Sequence, residues 1–154
     1  MKFTQSIDIE ASPETVWATW SDIKRWHEWT ASISNIEKLA PGPLTVGLRA
    51  RVRQPKLPTA IWRVTELQEN RGFKWVSTSP GAHVTGIHTI EPIANGSRAI
   101  MTLIFAGPLA LLFGWVTRSL TQRYLQLEAN GLKDRSERMA KSRKQIQPSD
   151  FPSH

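Results

Sequence analysis

The chain has 154 residues, enough for one domain built round one sizeable core. At 40% hydrophobic and 21% charged its composition is that of a globular protein, and the absence of cysteine excludes disulfides and thiolate chemistry. The formal charge of +7 raises nucleic acid or an anionic membrane as partners, but no reading motif for nucleic acid accompanies it.

Lys2–Glu10 alternates, with Phe3, Ile7 and Ile9 on one side and Thr4, Ser6, Asp8 and Glu10 on the other, so it predicts a strand with one buried face. Ser12-Pro13-Glu14 then starts a short helix, with Ser12 as its N-cap and Val16, Trp17 and Trp20 on the apolar side. Asp22 is placed to cap a second short helix carrying Ile23, Trp26 and Trp29.

From there the pattern is mostly strands. Ile33–Leu39, Leu48–Gln54, Ile61–Gln68, Phe73–Thr78, His83–Glu91 and Arg98–Phe105 are separated by turn-forming stretches such as Pro41-Gly42-Pro43, Asn70-Arg71-Gly72 and Asn95-Gly96. Seven strands joined by short connections imply an antiparallel meander. Ala99–Thr117 is uncharged for nineteen residues, but Gly107-Pro108 divides it into a strand and a helix start, so no transmembrane segment is expected.

The last element is expected to be one long helix from Leu109 to about Arg138. Leu109, Phe113, Val116, Leu120, Tyr124 and Leu127 recur at steps of three and four and form its apolar stripe. Leu111 and Trp115 fall outside that stripe; packing on the helical pair is expected for them, with a cavity mouth or a membrane-touching patch as the alternative. Between Lys133 and Lys144 six basic residues face Asp134 and Glu137, which places much of the surplus charge on the helix end and tail. The domain is taken as residues 1–138, and 139–154 as a basic, solvated tail.

The order strand, two helices, six strands, long helix predicts an α+β domain. Its curved seven-stranded antiparallel sheet wraps round the C-terminal helix and leaves a cavity between them. The run Ser12-Pro13-Glu14-Thr15-Val16-Trp17, then Ser21-Asp22 and the pair Trp26 and Trp29, resembles the opening of SRPBCC proteins, the START-like, helix-grip superfamily. Gln54-Pro55, Trp62-Arg63-Val64-Thr65-Glu66, Phe73-Lys74-Trp75, His88, Gly96 and Gly131-Leu132-Lys133 follow in matching order, and the likeness is to the polyketide cyclase/dehydrase branch over Phe3–Lys133. The resemblance implies the helix-grip fold. For activity it implies a range from cyclases through lipid carriers to hydroxylase domains.

Trp62 and Trp75 lie on neighbouring strands and His88 on the next, so they can give two aromatic walls and one polar handle, or be ordinary core. His88 can also move a proton and is the one catalytic candidate. His83 has the opposite parity, which argues against a two-histidine metal site; no metal or cofactor is expected. Arg49, Arg51 and Arg53 alternate with Ala50, Val52 and Gln54, so the arginines are expected on the solvent face, with a cluster gripping an anionic group as the alternative, and Gln54 as a second polar contact inside. Met101 and Leu103 complete the apolar lining. Paired carboxylates inside the cavity are not expected, since Asp8, Glu10, Glu66 and Glu91 sit at strand ends or polar positions.

The function these residues predict is binding of a small hydrophobic ligand, polycyclic, polyketide-like or lipid, in a cytoplasmic protein. The alternatives are a cyclase or dehydratase using the same cavity, which lacks a visible second acid/base group, and a membrane-surface or partner-binding module using Leu111, Trp115 and the basic tail.

Overall fold

The computed structural model describes residues 1–146. Its elements are β1 (Lys2–Ile9), α1 (Pro13–Ser21), a 3-10 turn (Ile23–Arg25), α2 (Trp26–Trp29), β2 (Asn35–Lys38), β3 (Arg49–Arg53), β4 (Ala60–Gln68), β5 (Gly72–Ser79), β6 (Ala82–Ile93), β7 (Gly96–Ala106), α3 (Pro108–Val116) and α4 (Arg118–Ile146). All strand pairs are antiparallel, in the order β1-β7-β6-β5-β4-β3-β2, so the meander β2 to β7 returns to place β1 at its far edge. The curved sheet holds α4 and α1 against its concave face, and the core lies between them.

The alternations select that face. In β1, Phe3 and Ile9 are buried while Thr4, Ser6 and Asp8 are exposed, and in β3 Ala50 and Val52 are buried beneath an outward Arg49 and Arg53. Ser12 caps α1 through its hydroxyl oxygen, which accepts the Thr15 N–H at 3.2 Å, and Pro13 fills the first helical position. Asp22 behaves differently from expectation. Its side chain makes no cap hydrogen bond and instead faces Arg25 at 3.5 Å, because a 3-10 turn precedes the four-residue α2.

The expected single helix is two. Thr117 separates α3 from α4, and its hydroxyl donates to the Phe113 carbonyl at 2.8 Å, the i−4 back-bond that bends helices. The expected stripe therefore fails across the break. In α3 the residues turned inward are Ala110 and Gly114, since a Cβ on Gly114 would already stand 3.0 Å from Met1 Sδ and 3.2 Å from the Phe105 ring. Only small side chains fit under this helix, so Leu109, Leu111, Leu112, Phe113, Trp115 and Val116 are exposed, Trp115 and Val116 each by 67%. Leu111 and Trp115 do not pack on the helical pair. In α4 the buried face is Thr121, Tyr124, Leu125, Ala129, Leu132 and Ser136, a phase shared with the expected stripe at Tyr124 alone.

The helix also runs past the expected end at Arg138. Met139 and Ala140 remain half-buried, and the Thr19 hydroxyl meets Met139 Sδ at 3.2 Å, so packing carries α4 past Arg138, and it continues with exposed residues to Ile146. Of the expected tail, 139–146 is helical and 147–154 lies outside the described residues.

Candidate functional site

Direct cross-strand pairing decides which side chains share the concave face. Trp75 stands opposite Val64 on one side and Gly86 on the other, and Gly86 in turn pairs with Leu103. One step along, His88 stands between Phe73 and Met101. Trp62 pairs with Ala50 and reaches across to Trp75, ring centroids 5.3 Å apart and tilted by 34°. A regular pleat thus turns Trp62, Trp75, His88, Met101 and Leu103 to the same side.

Between this face and helices α3 and α4 lies a cavity of about 590 Å³. The expected residues Gln54, Trp62, Trp75, His88, Met101 and Leu103 all line it, joined by Leu109 and Phe113 of α3 and by Tyr124, Leu125 and Glu128 of α4. Gln54 is tied through its amide nitrogen to the Ser32 carbonyl at 3.3 Å, and the Tyr124 hydroxyl donates to the Pro55 carbonyl, which ties the β3–β4 connection to α4. His83 points away from the cavity, with Nδ1 3.0 Å from the Thr78 hydroxyl.

His88 sits inside an aromatic shell. Its ring stacks on Phe73 at 4.3 Å and 10°, meets the edge of Trp20 at 4.9 Å, and lies 5.5 Å from Trp26. The expected lack of a second acid/base group is corrected here. Glu128 of α4 places Oε1 3.4 Å from His88 Nε2, and the Trp20 indole N–H donates to the same oxygen at 3.1 Å. His88 Nδ1 is buried with no hydrogen-bond partner among the described residues. Both side chains are nearly enclosed, at 7% and 12% exposed, so the pair acts where charge is poorly screened.

Glu128 was hidden by helix phase. It stands at the border of the expected stripe, four residues after Tyr124; on the observed face it falls three residues after Leu125 and four before Leu132. The visible signal was a carboxylate at core spacing in the stretch Thr121, Leu125, Glu128, Leu132.

The chain matches the family model described as polyketide cyclase / dehydrase and lipid transport over residues 1–137. Among solved structures it is similar to a START superfamily protein from Mycobacterium smegmatis, at 20% identity and TM-score 0.71, covering 90% of this chain and 98% of that one. A hypothetical protein from Helicobacter pylori gives 14% and 0.75, with 88% of each chain covered. A protein from Thermus thermophilus gives 18% and 0.67, covering 93% of this chain and 99% of that one. These likenesses show the fold. No functionally curated protein matches the chain.

Proposed function

The chain belongs to the polyketide cyclase/dehydrase and lipid-transport family, and on that premise we propose that it binds one small, largely apolar molecule, flat or polycyclic, in the cavity between sheet and helices. The observation that carries this reading is the cavity itself: about 590 Å³, inside the range of small-molecule sites, mostly apolar, with Trp62 and Trp75 as adjoining walls. Burial supplies the affinity. A ligand hiding about 400 Å² of apolar surface gains about 10 kcal/mol at ~25 cal/mol per Å², from which association and ordering costs are deducted.

Native mass spectrometry of freshly purified protein, followed by organic extraction, tests the reading. A stoichiometric apolar compound is the expected result. Protein that is empty and also fails to bind a hydrophobic dye overturns it, and Trp62 and Trp75 are then plain core. A recovered compound that the protein converts on incubation assigns the cyclase or dehydratase alternative, for which His88 and Glu128 supply an acid/base pair.

A second reading, contact with an anionic membrane surface, is favoured by one observation: α3 presents six exposed large apolar side chains beside the cavity, two of which, Leu109 and Phe113, also line it. Co-sedimentation with lipid vesicles is its test.

A further inference from the structure

Among the described residues that line the cavity, Glu128 is the one carboxylate, and neither lysine nor arginine is present. The carboxylate is held from both sides on one oxygen: the Trp20 N–H donates to Oε1 at 3.1 Å, and His88 Nε2 faces it at 3.4 Å. A carboxylate facing Nε2 places the imidazole proton there, so Nδ1, which has no partner, keeps its lone pair. The acceptor of this polar corner is therefore Glu128, whose Oε2 takes no donor among the described residues, while His88 Nδ1 is enclosed by the aromatic rings around it.

An anionic ligand group placed there meets the Glu128 carboxylate with no lysine or arginine among the lining residues to offset it, in surroundings that amplify the repulsion. A hydroxyl meets the reverse, a charge-assisted hydrogen bond to an oriented carboxylate. We propose that the cavity takes apolar ligands whose polar group donates a hydrogen bond, such as a phenol, enol or alcohol, and rejects the carboxylate of the same shape. Glu128 is the acceptor, and His88 and Trp20 are the positioning residues that hold it. The inference rests on the ligand-binding reading above and narrows the class of ligand.

Three probes of one shape decide it: 2-naphthol, naphthalene and 2-naphthoate, each titrated against protein loaded with the uncharged dye Nile red. The expected order is 2-naphthol first, naphthalene at about tenfold higher concentration, and 2-naphthoate weaker than 2-naphthol by at least that factor. In Glu128→Gln the naphthol advantage shrinks and 2-naphthoate gains, while naphthalene stays near its wild-type midpoint. A merely structural role for Glu128 moves all three midpoints together, and that outcome overturns the assignment of Glu128. Equal displacement by naphthol and naphthoate in the wild-type protein overturns the proposal without the variant, so a Glu128→Gln chain that does not fold leaves the decision intact. Absence of Nile red binding, or of displacement by any probe, removes the ligand-binding reading and this inference with it.

Discussion

Gly86 shows how closely the cavity wall is specified at the level of a single residue. It stands opposite Trp75 in the ladder, and a Cβ built there would lie 2.7 Å from the indole Nε1 and 2.8 Å from its Cδ1. Neither atom is the loose end of a flexible chain, since Trp75 is itself buried against Trp26, Phe73 and Trp62. Gly86→Ala must therefore tilt Trp75 toward the cavity or shift the strand. The expected outcome is a stability loss of about 1–3 kcal/mol by chemical denaturation, together with roughly tenfold weaker dye binding. Unchanged values for both would mean that Trp75 has free space behind it and that its orientation is not set by Gly86. The lining residues were legible in the sequence because strand parity is a rule of period two, and it needs only the right strand to put Trp62, Trp75 and His88 on one side. Glu128 is legible only once the helix phase is known, because its core spacing from Thr121, Leu125 and Leu132 shows on that face alone.

At the scale of elements the same contrast recurs. Strand bounds and order follow from alternation and turn residues, and the seven strands fall within a few residues of expectation. The helices went astray where a side chain competes with the backbone. Thr117 stands between α3 and α4 with its hydroxyl bonded to the Phe113 carbonyl, and no periodicity count sees such a bond before the fold is known. What fixes α4 after this break is partly electrostatic. Lys133 reaches both the Asp8 carbonyl at 3.0 Å and Glu137 Oε1 at 2.6 Å, while Glu137 accepts the Glu10 N–H at 3.0 Å, so the helix is pinned to the end of β1. Burial pushes the Glu137 carboxyl up, but the Lys133 bond and the Glu10 N–H pull harder, and the net position is below its ordinary 4.5. A lowered native value means that folding favours the carboxylate. Its contribution is complete above the unfolded value near 4.5 and is lost as pH falls through the lower native value. Asp8, held down first by its bond to Arg98, acts with the same sign. Glu137→Gln is therefore expected to cost about 1 kcal/mol at pH 7 and to flatten part of the fall in melting temperature on acidification below about pH 4.5. Thermal melts of both proteins from pH 7 to pH 3 measure it; parallel curves would assign the acid sensitivity to other carboxylates.

For the whole molecule, the question is what the +7 charge and the exposed α3 do together. The membrane-surface alternative combines Leu111 and Trp115 with the basic tail, and among the described residues the tail's cations stand far along α4 from α3. Helix α4 has 29 residues, about 43 Å at 1.5 Å per residue, with α3 at its start and Lys141, Arg143 and Lys144 near its end. The cations near α3 are others. From Ala99 to Leu127 the charged residues are Arg118 and Arg123, both exposed just after α3, and Lys2 follows Met1, which packs against Gly114. An uncharged helix with an exposed tryptophan, cations at its flank and no acidic neighbour in that stretch has the composition of an interfacial element, and it borders the cavity through Leu109 and Phe113. No helix among the described residues is long and apolar enough to cross a membrane, so the contact would be one of insertion from one side. The protein is expected to co-sediment with vesicles containing roughly one-third phosphatidylserine and more weakly with pure phosphatidylcholine, since each cation near the surface contributes about 1 kcal/mol. Replacing the exposed Leu112 and Trp115 by serine should reduce binding by at least tenfold without lowering stability, because neither side chain belongs to the core. Truncation after Met139 should matter much less. If truncation abolishes binding and the serine pair does not, the far end of α4 is the docking site; if the wild-type chain ignores both vesicles, α3 is not a membrane element at all.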